Sequence, residues 1–264
     1  MNDWRTYDDV AETYERVHAH RLGEAARELI EMMGLADGDR VLDVGTGTGV
    51  AAQVAADVGA SVVGIDESSG MLRVARRERP KIPFVAAQAI DLPFGPGRFD
   101  AVLGSFVLAH FNKVETVLFD IARVLRLGGR IGFTTWADGV DAYQQTWREL
   151  VESVVPREML ASAYAEAAPW HDRFKKRVAV EEALIDAGFR TVRTEVVRYQ
   201  WTYSLEDYVD GLQVWATGRF VKNMLGDAGW ASLRERTRAV FAERFPDPLN
   251  DFREVIIAAA AKPA

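Results

Sequence analysis

Residues 41–136 alternate between two rhythms of apolar positions. Short unbroken runs at Val41–Val44, Val62–Ile65, Phe84–Ala86, Phe99–Gly104 and Ile131–Trp136 predict strands buried on both faces. Between them the spacing becomes helical. Val50, Ala51, Ala52, Val54 and Ala55 follow the first run, and Val114, Val117, Leu118, Ile121 and Val124 recur at threes and fours. Upstream, Tyr7, Val10, Tyr14 and Val17 share one face of a first helix. Leu22, Ala25, Ala26, Leu29, Ile30 and Met33 share one face of a second, which Gly34 ends. Downstream, Val180–Ala187 predicts a helix stopped by Gly188, and residues 187–203 alternate as a strand does. The stretches 137–177 and 204–247 break the alternation with helical, aromatic-rich segments. Phe252–Ala261 predicts a last strand whose alanine tail leaves its end open.

The first strand runs into VLDVGTGTG, residues 41–49, with Asp43, Thr46 and the glycines Gly45, Gly47 and Gly49. A strand, a glycine turn and a helix in that order make a ligand site. Glycine lets a ligand approach the backbone, and the helix start presents free N–H groups. The dinucleotide fingerprint needs a glycine where Val50 stands, and no Gly-Lys-Ser/Thr follows, so the pyrophosphate and Walker readings fail. Asp66 ends the second strand about 20 residues beyond Gly45, where a carboxylate accepts ribose hydroxyls. Glu67 beside it can share that role, and Ser68 is placed to cap the next helix. Ser105 and His110 fall at the C-terminal end of the fourth strand, the ligand edge of an open α/β sheet.

These residues resemble the class I S-adenosylmethionine (SAM) methyltransferases of the small-molecule branch. Residues 41–49 match the hydrophobic-hydrophobic-Asp-hydrophobic-Gly-x-Gly-x-Gly loop at every position. Tyr7 and Tyr14 match a Tyr-x6-Tyr helix that closes over the cofactor. Gln88, Ala89, Ile90, Leu92, Pro93 and Phe94 stand where the family has Asp-Ala-x-x-Leu-Pro-Phe. Leu127–Arg130 match a Leu-x-Pro-Gly-Gly turn imperfectly, and Ala187–Phe189 match an Ala-Gly-Phe signature. The resemblance implies a doubly wound, mostly parallel seven-stranded sheet with helical lid insertions, whose last two strands form an antiparallel hairpin. It implies SAM as cofactor and S-adenosylhomocysteine as product. Tyr7, Tyr14, Asp43, Gly45, Thr46, Gly47, Gly49, Asp66, Glu67, Met71, Gln88, Ala89, Ile90, Ser105 and His110 are then the expected cofactor-binding positions. Met71 would pack on adenine. Gln88 replaces the usual aspartate, and its carbonyl can accept the same adenine hydrogen bond. By the same resemblance the Ala89 N–H would face the base, Ile90 would cover it, and the Ser105 carbonyl would take the methionine amino group.

The division expected from this reading is an N-terminal lid at 1–33, a core at 34–136, and a helical lid insertion at 137–177. The core continues at 178–203, a second lid insertion occupies 204–247, and residues 248–264 hold the last strand. The lids carry Trp136, Tyr143, Trp147, Trp201, Trp215 and Phe220 among other aromatics, which favours an apolar or aromatic small-molecule acceptor. Transfer to an acceptor oxygen, nitrogen or carbon would be in line, with His110 as the expected catalytic base for a hydroxyl; His18, His20 and His171 are alternatives. Two other classes stay open: a SAM-fold enzyme of another reaction, such as carboxymethyl transfer or decarboxylation, and a non-catalytic SAM-binding protein. The run His171, Arg173, Lys175, Lys176 and Arg177 is either a solvated face or a contact to an acidic or phosphorylated substrate.

Composition narrows this further. The 264 residues contain no cysteine, which excludes disulfides, thiolate metal sites and thiol nucleophiles, and with them the arsenite branch of the family. No metal is expected. A formal net charge of −7 argues against a nucleic-acid partner. No leader and no apolar run near 18 residues is found, so no membrane span and a cytoplasmic location are expected. A homodimer is left open.

Overall fold

The computed structural model describes residues 3–139 and 141–264. Its strands are β1 (Arg40–Val44), β2 (Ser61–Asp66), β3 (Phe84–Ala86), β4 (Phe99–Ser105), β5 (Leu125–Trp136), β6 (Arg190–Tyr203) and β7 (Leu249–Ala261). They form one seven-stranded sheet in the order β3-β2-β1-β4-β5-β7-β6. The first five strands pair in parallel, and β7 runs antiparallel to both β5 and β6. The chain order reverses between β1 and β4, so the crevice at their C-terminal ends is the switch point at which such sheets bind ligands.

The helices are α1 (Ala11–Tyr14), α2 (His20–Met33), α3 (Val50–Asp57), α4 (Ser69–Glu78), α5 (Val114–Val124), α6 (Ala142–Glu152), α7 (Arg157–Ala167), α8 (His171–Phe174), α9 (Arg177–Asp186), α10 (Leu205–Gly211) and α11 (Ala216–Arg244). Alternation along β1 divides the core into two layers. Val41 faces a cluster with Leu29 and Met33 of α2, Ala52 of α3 and Leu72 of α4. Leu42 and Val44 face the other cluster, with Val117 and Ile121 of α5 and Val180 and Leu184 of α9.

Three expectations change in the structure. The two predicted N-terminal helices are joined by a π-helical turn, Glu15–Ala19, rather than separated by a break. The expected lid at 1–33 divides, because α2 lies on the sheet. A Cβ on Gly132 of β5 would stand 2.5 Å from Met33 Sδ and 2.8 Å from Leu29 Cδ1, so the bare glycine is what lets α2 pack this close. The last strand begins at Leu249, three residues earlier than the pattern predicts, and its alanines are core. Ala258 and Ala260 face one cluster and Ala259 the other, where small side chains leave room for helices on both faces.

Candidate active site

The glycine loop is shaped from below by Asp43. This side chain is 0% exposed, and its Oδ2 accepts a hydrogen bond from Thr46 Oγ1 at 2.6 Å. Burial pushes its carboxyl up to about 7, with the Thr46 bond opposing and the Asp66 charge adding. Asp43, expected among the residues that touch a cofactor, lies fully buried under the loop with its Oδ1 unpartnered among the described residues. Gly45 is required by a close approach, since a Cβ there would lie 2.3 Å from Val107 Cγ2. Gly47 differs. Its φ of +55° favours glycine, and a Cβ would meet nothing within 4 Å, so the loop presents an open face at this point.

Asp66 links this loop to the next one. Its Oδ2 accepts from Gly47 N–H and its Oδ1 from Ser68 N–H, each at 2.8 Å. Burial raises its pKa, and the two backbone bonds work against the rise. Each oxygen keeps acceptor capacity for a ribose hydroxyl. Ser68 caps α4, as expected, by accepting from Met71 N–H. The base-side segment lies alongside, with Ala87 N–H donating to the Asp66 carbonyl at 3.1 Å. Glu67 and Gln88 are exposed there, and Ala89 and Ile90 are half-buried. An open glycine turn, an acid at the end of β2 and a half-buried apolar segment beside it fit a nucleoside such as that of SAM.

The chain before α2 is fastened over this face at two points. Asp8 Oδ1 accepts from Ser68 Oγ and Gly70 N–H, both at 2.7 Å, at the start of α4. Glu15 pairs with Arg79 at 2.9 Å, and Arg79 also donates to the Thr48 carbonyl of the glycine loop. Between these points Tyr7 and Tyr14 pack with Ala11, Met71 and Val74, their rings edge-on at 6.4 Å. Burial raises the Tyr14 hydroxyl pKa, and the charges of Tyr7, Glu15, Asp66 and Asp43 act in the same direction. Tyr14 ends α1 while Tyr7 precedes the first helical turn at Asp8, so the two tyrosines share one packed segment beside α4 rather than the single helix expected.

At the end of β4, Ser105 Oγ lies 3.1 Å from Thr134 Oγ1. Phe106 adopts φ +57°, stacks on Trp136 at 4.4 Å and turns the chain into a short helix that ends at His110. His110 Nδ1 lies 2.8 Å from the Ala167 carbonyl. A carbonyl only accepts, so Nδ1 carries the proton and Nε2 the lone pair. Burial holds the His110 pKa below the usual value, against the Ala167 bond, and the charges of Arg219 and His171 add to the lowering. The imidazole is thus a neutral base, 6.2 Å from the Tyr7 ring.

The segments 137–177 and 204–247 meet the N-terminal chain above this edge. Arg16 pairs with Asp207 and Asp210 of α10. Trp4 contacts Phe220 at 5.1 Å, and Trp147 of α6 contacts Trp230 of α11 at 6.2 Å. A cavity beneath them is lined by His18, Tyr203, Tyr208, Trp215, Asp251 and Arg253. His18 is held down to about 3 by burial and contacts Trp215 at 4.8 Å. Burial also raises the Asp251 carboxyl, with Asp141 adding to the rise and Arg253 opposing it.

Of the four histidines weighed as bases, His110 reaches the ligand edge and His18 the covered chamber. His20 is exposed on α2, and His171 lies against Tyr164 at 5.0 Å. The basic run is largely spent on its own acids: Lys175 pairs with Asp138 and Asp172, Arg173 with Glu115 and Arg177 with Glu181. That favours its reading as a solvated face. Sequence reasoning missed Asp8, Arg79, Val107, Arg219 and Asp251. Each acts across more than 20 residues of chain, and periodicity carries no signal for such pairs.

Fold and site together define an α/β protein whose sheet edge carries the features of a nucleoside-cofactor site. The methyltransferase-domain family model matches residues 42–133. A demethylmenaquinone methyltransferase of Renibacterium salmoninarum is 40% identical over 129 residues, 47% of this chain and 54% of that protein. The chain thus spans about half the length of that relative. The enzyme of the same name from Beutenbergia cavernae is 35% identical over 202 residues, 70% of this chain and 82% of that protein. In fold, the chain is similar to Haemonchus contortus phosphoethanolamine N-methyltransferase 2, with TM-score 0.60 and 19% identity over all of this chain and 61% of the other. The chain belongs to the class I SAM-dependent methyltransferases. Among its described residues no helix is long and apolar enough to cross a membrane, and no cluster of His, Asp and Glu is suited to hold a metal ion.

Proposed function

We propose that this protein moves the methyl group of SAM to an oxygen, nitrogen or carbon atom of an apolar or aromatic small molecule held under the helical lid. The observation that carries this reading is His110. It is a neutral imidazole at the ligand edge, fixed through Nδ1 to Ala167 and keeping its lone pair on Nε2. Gly45, Thr46, Gly47 and Gly49 would cradle the cofactor, Asp66 and Glu67 its ribose, and Met71, Gln88, Ala89 and Ile90 its base. Tyr7, Tyr14, Ser105 and His110 would surround the methionine end. Bound SAM supplies a methyl group on a sulfonium, which needs no further activation. The chain's own work is to orient the acceptor, exclude water and take the acceptor's proton at His110 Nε2 where the group is a hydroxyl. Phe106, Trp136 and Trp215 form a continuous chain of ring contacts leading from that edge, an aromatic surface that would suit a flat apolar acceptor. The relatives' name, demethylmenaquinone methyltransferase, supports a quinone-type ring as the first acceptor to test.

The experiment is incubation with methyl-labelled SAM and a panel of reduced quinones, phenols and amines, followed by mass analysis. Labelled acceptor is expected. A different SAM-derived product, or binding with no product across the panel, would overturn the proposal. With a hydroxyl acceptor, His110→Asn should lower kcat by about 10²–10⁴-fold.

A further inference from the structure

Arg219 is the buried charge that the proposed methyl transfer does not use. It lies in the first turn of α11 and is 5% exposed. Its Nε donates to the Trp4 carbonyl at 3.0 Å and its Nη1 to the Val214 carbonyl. Its Nη2 is buried with no hydrogen-bond partner. The guanidinium stacks over the Tyr7 ring with Cζ 4.0 Å from the centroid, and its charge depresses the His110 pKa. Arg219 and His110 therefore flank the same tyrosine, on the cofactor side of the lid.

No ion pair involves Arg219 among the described residues, although most of the arginines in this acidic chain are paired. Two carbonyls satisfy part of the fork and neutralise none of the charge. A buried cation without a counter-ion is costly, because desolvation is not offset by a nearby negative charge. The first turn of a helix adds to the cost, since the helix dipole there already favours an anion. Cation–π stacking on Tyr7 offsets part of that cost but gives the buried Nη2 no acceptor. Burial, the spare N–H donors, the missing carboxylate and the position in the helix share one resolution, which is a negatively charged oxygen beside Nη2.

We infer that Arg219 binds an oxyanion, a carboxylate, phenolate or enolate, at the ligand edge beside Tyr7 and His110. The inference rests on the reading of that edge given under Proposed function. Two sources carry this chemistry: the amino-acid carboxylate of the cofactor, and an acidic group of the acceptor. If it is the acceptor's, the guanidinium stabilises the oxyanion left once His110 Nε2 has taken the hydroxyl proton. A planar fork with a free N–H edge suits either group.

The test compares wild type with Arg219→Met and Arg219→Lys, each checked for folding by circular dichroism and thermal melting. The first arm titrates S-adenosylhomocysteine and 5′-methylthioadenosine, which shares the nucleoside and sulfur but lacks the carboxylate. The second titrates the S-adenosylhomocysteine complex with 4-nitrophenol, whose phenolate absorbance reports its ionisation, and with benzoate as competitor. If the cofactor is the source, Arg219→Met weakens S-adenosylhomocysteine by about tenfold or more and leaves methylthioadenosine alone, the scale of one charge-assisted hydrogen bond. If the acceptor is the source, both nucleosides bind as in wild type. The wild-type complex then lowers the apparent pKa of bound 4-nitrophenol, and Arg219→Met loses both that shift and benzoate competition. Arg219→Lys keeps part of either effect, and it carries the comparison if the methionine variant does not fold. The inference is overturned if all these ligands bind the folded variants within about twofold of wild type with no change in phenolate ionisation. Failure of wild type to bind either nucleoside would instead overturn the reading of the cofactor site, while 4-nitrophenol on the free protein still reports on Arg219.

Discussion

Asp66→Ala separates the two tasks of the acid at the end of β2. In the free protein its oxygens hold the N–H groups of Gly47 and Ser68, each at 2.8 Å, and so join the glycine loop to the cap of α4. Hydrogen bonds to a charged acceptor contribute about 1.5–3 kcal/mol each, but water can reach this half-buried site and recover much of that. A net loss of about 1–3 kcal/mol follows, and at about 2–4 °C per kcal/mol for a chain of this size the melting temperature should fall by roughly 2–12 °C. The bound state adds the ribose hydroxyls. Losing their charged acceptor should weaken S-adenosylhomocysteine by about 1.5–3 kcal/mol, or roughly 10- to 150-fold. Isothermal calorimetry gives the affinity and a melting curve of the free protein gives the stability, so the two contributions are read independently. Asp66→Asn is an internal control. Its carboxamide can accept from only one of the two N–H groups and must turn its own NH2 toward the other, so stability should fall even though side-chain volume is kept. A folded Asp66→Ala protein with an unchanged dissociation constant would refute the placement of the ribose.

Two further outcomes follow from the same geometry. The Asp43 carboxyl, at about 7 when folded against an ordinary 3.8, binds its proton more tightly in the native state. The stability it contributes is complete below pH ~4 and is lost as the pH rises through ~7, up to about 4 kcal/mol in all. The raised Asp251 and Asp66 carboxyls act in the same sense. Urea unfolding at pH 5 and pH 8 should therefore find wild type less stable at pH 8, and Asp43→Asn should flatten the difference; equal slopes in the two proteins would contradict the burial argument. Trp215→Ala removes a ring that contacts His18 at 4.8 Å and Trp136 at 5.9 Å in the lid. S-adenosylhomocysteine affinity should stay within about threefold, under 1 kcal/mol, while acceptor turnover changes strongly; an affinity loss as large as that of Asp66→Ala would place Trp215 on the cofactor instead.

The sequence by itself determined the sheet and the placement of the glycine loop and Asp66 at the ends of adjacent strands. Strands buried on both faces are written as unbroken apolar runs, and helices as threes and fours, because those periods are fixed by backbone geometry. The glycine loop and Asp66 are legible for a related reason: they lie within 26 residues of one another, on two adjacent strands joined by one helix. Only the tertiary structure decided the rest. Asp43 has the residue type of a ligand contact, yet the fold places it on the covered side of the loop, and no local pattern distinguishes the two sides. The N-terminal helices divide between core and cover because Gly132, about a hundred residues away, admits Met33 and Leu29 to the sheet. His110 owes its tautomer to the Ala167 carbonyl, 57 residues on, and Arg219 meets Tyr7 across more than 200 residues of chain. A period along the chain records which face of an element is apolar. It does not record which charged side chain from a distant helix will be desolvated beside that face.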